Sequence, residues 1–125
     1  LTGANLSDAR ATTVTWTGAN LARADLTDAE FAGGDFSGAA LDGATLIRTK
    51  LDAARLGSAR FTDADLNRAS LVAAEVCGAD FSGARLELAA LERVSSCDST
   101  RWPEGFAAPA APPDEAETAV ATAVP

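Results

Sequence analysis

Histidine, tyrosine and methionine do not occur in this 125-residue sequence, and cysteine and tryptophan occur only twice each. Without histidine, the base that most often activates a serine or cysteine nucleophile is missing, so the usual catalytic arrangements cannot be assembled. Two cysteines fall short of a metal site, which needs more ligands. Basic residues are scarce: 10 Lys and Arg stand against 18 Asp and Glu, a formal charge of −8. Nucleic-acid binding needs a basic stripe, and none is present. No apolar run approaches a membrane span, and no signal-peptide pattern is visible. Gly33-Gly34 lacks the glycine spacing and the lysine of a phosphate loop. These absences predict no catalytic residue, no cofactor, no metal, and neither nucleic acid nor membrane as a partner. They point to a non-enzymatic chain in the cytoplasm.

What the sequence has is a period. In "TGANLARADLTDAEFAGGDF", residues 17–36, a large apolar residue falls at Leu21, Leu26, Phe31 and Phe36, with alanine or glycine two places before each. The large column runs from Leu1 to Leu91, and sixteen of its nineteen positions are Leu or Phe. In the small column, from Ala4 to Val94, fifteen of nineteen are Ala. Five residues turn a helix by a net 140°, so the leucines would spiral instead of forming a stripe. In a flat strand an odd step sends successive leucines to opposite faces. The chain must therefore bend once per repeat. Repetition of this extent outranks other local signals, and a stacked solenoid solves the burial problem of a small domain coil by coil.

Units such as Ala24-Asp25-Leu26-Thr27-Asp28 and Ala64-Asp65-Leu66-Asn67-Arg68 resemble the pentapeptide-repeat family, whose unit is roughly A(D/N)Lxx. The resemblance covers residues 1 to about 98. It implies an all-β fold, a right-handed quadrilateral β-helix of about five coils, with one pentapeptide on each side. The central Leu or Phe and the preceding Ala would point inward, and the other three positions outward. As function it implies a module for protein–protein interaction or scaffolding. The alternative it offers is a DNA mimic that binds DNA gyrase or topoisomerase IV, as in quinolone resistance.

The period stops after residue 98. "CDSTRWPEGF", residues 97–106, inserts Trp102, Pro103 and Phe106, and residues 99–108 resemble a closing segment after the last coil. Trp102 and Phe106 are expected to cap that coil, centred on Leu91. Residues 109–125 are low-complexity Ala/Pro with acids, a composition expected to be disordered. Leu1 is already in register, so an upstream segment is expected. An uncapped terminal coil would otherwise pair with a second copy as a homodimer.

Four repeats per coil stack residues twenty apart. Thr15, Asp35, Arg55, Glu75 and Ser95 then form one outward column, and Arg10, Glu30, Lys50 and Ser70 another. Opposite charges recur at one-coil spacing and favour the in-register stack. Over residues 4–98 the faces centred on Leu6, Ala11, Trp16 and Leu21 total −2, 0, −2 and −1. The densest acidic cluster, Asp8, Asp25 and Asp28, ends at Arg48 and Arg68, and it is the candidate interaction surface. DNA carries one charge per about 1.7 Å of axis, so these charges are too few and too mixed for a duplex mimic. Cys77 and Cys97 share a column at one-coil spacing, within reach of a disulfide. Against a bond stand a reducing cytoplasm and the parallel direction of the two side chains, which favour free thiols. In "ATTVTW", residues 11–16, Ala11, Val14 and Trp16 depart from the pattern together, and size compensation is the expected reason.

Overall fold

The computed structural model describes residues 2–106 as five coils of a four-sided β-helix. Fifteen parallel bridges join residues twenty apart, from Asn5–Asp25 to Glu75–Ser95, and a sixteenth joins Asp80 to Arg101 at twenty-one. The first face is centred on Leu6, Leu26, Leu46, Leu66 and Leu86. The second is centred on Ala11, Phe31, Leu51, Leu71 and Leu91, the third on Trp16, Phe36, Leu56 and Val76, and the fourth on Leu21, Leu41, Phe61 and Phe81.

Repeats with a coil on either side satisfy their backbone in the same way. Around Leu26, the Leu26 N–H donates up to Thr45 O (2.7 Å), the Asp28 N–H up to Ile47 O (2.9 Å), and the Asp25 N–H down to Ala4 O (2.8 Å). The Ala29 N–H closes a turn on Leu26 O at 3.0 Å. The third residue of that turn is left-handed at every fifth position from 3 to 93, with φ between 56° and 79°. This is the type II pattern, with its positive φ at the third residue. It is the bend that the period of five requires.

Four of the five N–H groups in a repeat are thus taken by the backbone. The fifth, on the residue after the central one, is left over. In six repeats the residue before the central one accepts it: Asn5 from Ser7, Asn20 from Ala22, Asp25 from Thr27, Asp35 from Ser37, Asp65 from Asn67 and Asp80 from Ser82, all at 2.9–3.1 Å. Asp or Asn before the leucine is therefore turn chemistry.

Alkyl and phenyl groups fill the interior from Leu21 to Phe81, each 0–1 % exposed. The irregular segment 11–16 fits by compensation. Trp16 lies parallel to Phe36 at 6.3 Å and edge-on to Phe31 at 6.2 Å. Ala11 lies beneath Phe31 in its column, and the larger Val14 beneath Gly34.

The closing segment continues the stack instead of folding across it. One extra residue near Cys97 shifts the register, and Thr100, Arg101 and Trp102 then take the small, bridging and central places of a repeat. Arg101 bridges Asp80, Thr100 is buried, and Trp102 stacks on Phe81 at 5.0 Å and 5°. Phe106 lies against Trp102 at 5.6 Å. The expected centre on Leu91 is corrected accordingly: the aromatic column Phe61, Phe81, Trp102 belongs to the fourth face. The segment follows it because ring stacking on Phe81 extends an existing column. Residues 107–125, including the whole Ala/Pro tail expected to be disordered, lie outside the described residues.

Candidate interaction surface

The outward side chains stand on convex walls, and their polar contacts are mostly with one another. Of the candidate acidic cluster, Asp25 is bound within its own turn. Its Oδ1 accepts from the Thr27 N–H (3.0 Å) and the Thr27 hydroxyl (2.7 Å), and these bonds hold its carboxyl below the ordinary aspartate range. Asp28 points up its column to Arg48, one coil on. Arg48 Nε donates to Asp28 Oδ1 at 2.7 Å and Nη2 to Oδ2 at 3.0 Å, a two-pronged pair. That pair lowers the Asp28 pKa and raises that of Arg48, which Asp8 also favours from two coils below. Asp8 is exposed at the first coil. The structure brings the three acids onto one face, but spends Asp25 and Asp28 on local bonds.

The other columns behave alike. Arg55 approaches Glu75 at 3.9 Å, both exposed, and Arg10 approaches the half-buried Glu30 at 3.9 Å. Arg60 reaches diagonally to Asp42 at 2.5 Å. Asp35 and Asp80 are lowered in pKa chiefly by the hydroxyls of Ser37 and Ser82, and secondarily by the amides of those residues. Asp52 accepts from the Ser70 hydroxyl. Among the described residues, no group of three His, Cys, Asp or Glu could hold a metal ion.

Two features escaped sequence reasoning. Thr49 occupies a small inward position, and its hydroxyl donates to Leu26 O at 2.6 Å. Thr100 repeats the device in the last repeat of the stack: it donates to Val76 O at 2.9 Å and accepts from the Cys97 N–H at 3.2 Å. The Thr-Arg-Trp triplet, small then charged then large, was the available signal for the re-entry. The second feature is an open cleft of about 300 Å³ at the C-terminal end, lined by residues that include Leu86, Pro103 and Phe106. Beside it Leu88 is 74 % exposed.

Cys77 and Cys97 form a disulfide, with Cα atoms 5.0 Å apart. The free-thiol reading is thus corrected. Its argument assumed two side chains projecting in parallel from a regular stack, whereas the extra residue at this corner re-aims Cys97.

The description of the matching family is Pentapeptide repeats, with eight copies over residues 1–43, 19–57 and 59–95. The chain belongs to this family. Its members form right-handed quadrilateral β-helices, which is the fold of this chain. No curated protein matches the sequence. Among solved structures, trypsin-treated QnrB1, a plasmid-mediated fluoroquinolone resistance protein, is similar with a TM-score of 0.67 and 19 % identity over 80 % of this chain. The chain spans 56 % of the length of that protein. A pentapeptide repeat protein from Nostoc Pcc 7120 is 31 % identical over 84 % of this chain and 74 % of its own, with a TM-score of 0.37. One from the Arabidopsis thaliana thylakoid lumen is 24 % identical over 66 % of this chain and 61 % of its own, with a TM-score of 0.44. Pentapeptide-repeat proteins are in general structural or binding modules.

Proposed function

We propose that this pentapeptide-repeat chain is a non-enzymatic module that binds or scaffolds a protein partner through the outside of its β-helix. The observation that carries this reading is the division of side chains. Inward positions are closed by Leu, Phe and Ala, and outward positions form columns of mixed polar groups at fixed spacing on convex walls. Such a surface offers shape and charge register to a partner, whereas chemistry calls for a concave, desolvated pocket. The gyrase-directed DNA mimic is the weaker alternative, because Arg48 neutralises Asp28 and Asp25 serves its own turn.

The test places a photo-crosslinking residue on each face in turn, at Ile47, Val72, Thr17 and Thr62, in the host cell. One protein captured from one face or two adjacent faces is expected. A second copy of the chain, captured from residues near a terminal coil, would identify the partner as a homodimer mate. Capture of gyrase or topoisomerase IV subunits would move the conclusion to the alternative. No discrete adduct from any face would overturn the binding role.

A further inference from the structure

We infer that the Cys77–Cys97 disulfide is a thiol–disulfide exchange site, attacked at Cys77 and releasing Cys97, whose opening loosens the closing segment 98–106. The inference is independent of the proposed binding role.

Three observations meet at this corner. First, the bond is on the outside: both cysteines are exposed. Cys77 follows Gly57 in its column, and Gly57 carries no side chain to cover it. The disulfide joins coil 4 to coil 5, so a thiolate attacking the Cys77 sulfur arrives from the coil 3 side, over Gly57. Second, the two sulfurs are unequal. The Ser99 Oγ lies 3.0 Å from Cys97 Sγ but 4.0 Å from Cys77 Sγ. A disulfide sulfur has no proton, so Ser99 is the donor. A hydroxyl aimed at Cys97 stabilises the charge that develops there as it leaves, and a better leaving thiolate speeds exchange. Third, the bond stands where the ladder is interrupted. The extra residue sets the twenty-residue register aside between Ser95 and Arg101. Across that gap the chain is held by the disulfide and by Thr100, through Cys97 N and Val76 O. Beyond it the chain is held again by contacts of its own, the Arg101 N–H to Ala79 O (2.9 Å), the Phe81 N–H to Arg101 O (2.7 Å) and Trp102 on Phe81, and the disulfide ties the stretch that leads into them.

The exchange balances as follows. A thiolate of a dithiol reductant bonds to the Cys77 sulfur, and the S–S bond breaks with its electron pair passing to Cys97, which takes up a proton. The second thiol of the reductant then displaces Cys77 and becomes the other half of an oxidised disulfide. Two cysteine thiols are gained for one dithiol oxidised. An oxidising compartment would keep the corner closed and a reducing one would keep it open.

The test uses the full chain. Reduced glutathione is added without denaturant, the adduct is trapped by acid, and peptide mass mapping locates it. Glutathione on Cys77 with Cys97 free is expected. Dithiothreitol should release both thiols in the folded protein at a rate within about tenfold of that for the unfolded chain, as access rather than unfolding governs it. Ser99→Ala and Gly57→Leu should each slow this release by about threefold or more with Tm unchanged. The backbone at Gly57 is not left-handed, and a Cβ there meets only Cys77 O, at 3.4 Å, so the leucine variant is expected to fold. In a Trp16→Phe background, Trp102 emission should shift to the red on reduction. An adduct on Cys97, release only in denaturant, or unchanged Trp102 emission would each overturn the inference.

Discussion

Gly34 occupies an inward position that is alanine in fifteen of nineteen repeats, so a consensus argument says that Gly34→Ala stabilises. The structure says the opposite. A Cβ built on Gly34 lies 3.0 Å from Phe31 O, 2.9 Å from Phe36 Cε2 and 3.5 Å from Val14 Cγ1. The carbonyl contact belongs to the turn, and alanine tolerates that turn elsewhere. The ring contact is particular to this site. Phe36 is held over Gly34 by Trp16, parallel at 6.3 Å, and by Phe31, edge-on at 5.6 Å, so its ring has little room to withdraw. Overpacking of this kind costs about 1–3 kcal/mol. Removing glycine from the unfolded chain offsets about 0.4–1 kcal/mol of it. The net loss of about 1–2 kcal/mol corresponds to a Tm lower by roughly 5–10 °C in a domain of this size. Thermal melts followed by circular dichroism measure it. Phe36→Leu in the same chain should recover much of the loss, because the two changes share one space and are not additive. A Tm that rises in Gly34→Ala alone would refute the reasoning.

Asp25→Ala should lower stability by about 1 kcal/mol by orphaning the Thr27 N–H, whereas Asp25→Asn keeps an acceptor and should lose less than half of that; equal losses in urea titrations would mean that charge, not the turn, matters. A double-mutant cycle should give a larger coupling for Asp28/Arg48, a two-pronged pair, than for Arg55/Glu75 at 3.9 Å, where exposure leaves about 0–1 kcal/mol or less; the reverse order would contradict the column geometry. Asp25, Asp28, Asp35 and Asp80 all titrate low in the folded chain. The unfolded chain therefore binds more protons in acid, so stability should be level above the ordinary aspartate value of about 3.9 and fall as pH drops through the lower folded values; melts from pH 7 to pH 2 test this, and a Tm that rises below pH 4 would reverse the sign. Leu46→Ala, at 1 % exposure, should cost about 2–5 kcal/mol, while Asn67→Asp on the outside keeps its acceptor for Glu87 N and should change Tm little.

How much of this was legible depends on what each position answers to. The inward columns answer to burial alone, so a period of five with Leu and Ala two apart was enough to mark the core positions and to require a bend in every repeat; the four faces and the twenty-residue stack came from the family resemblance that those columns carry. The corner residues answer to backbone conformation, and there the sequence is muted. Seven of the nineteen left-handed positions from 3 to 93 are glycine, but the rest include Thr13, Ala53, Ala73 and Leu88. Each of these costs about 1–2 kcal/mol for its handedness, and the inter-coil ladder enforces it, from both sides at Ala53 and Ala73 and from one side at Thr13 and Leu88 in the end coils. A residue held against its own preference leaves no local signature. The bonding within the candidate surface was hidden for a related reason. Asp25 looked like part of an acidic patch because its charge is visible in the sequence, whereas the spare N–H of Thr27, which explains it, appears only once the other four donors of the repeat have been assigned. The closing segment shows the same limit from the other side. A strict count of five ends at residue 98, because counting cannot see that one extra residue is absorbed at a corner. Stacking can: Thr100, Arg101 and Trp102 re-enter the stack because Phe81 and the open edge of Ala79 and Asp80 offer them the contacts that every earlier repeat received.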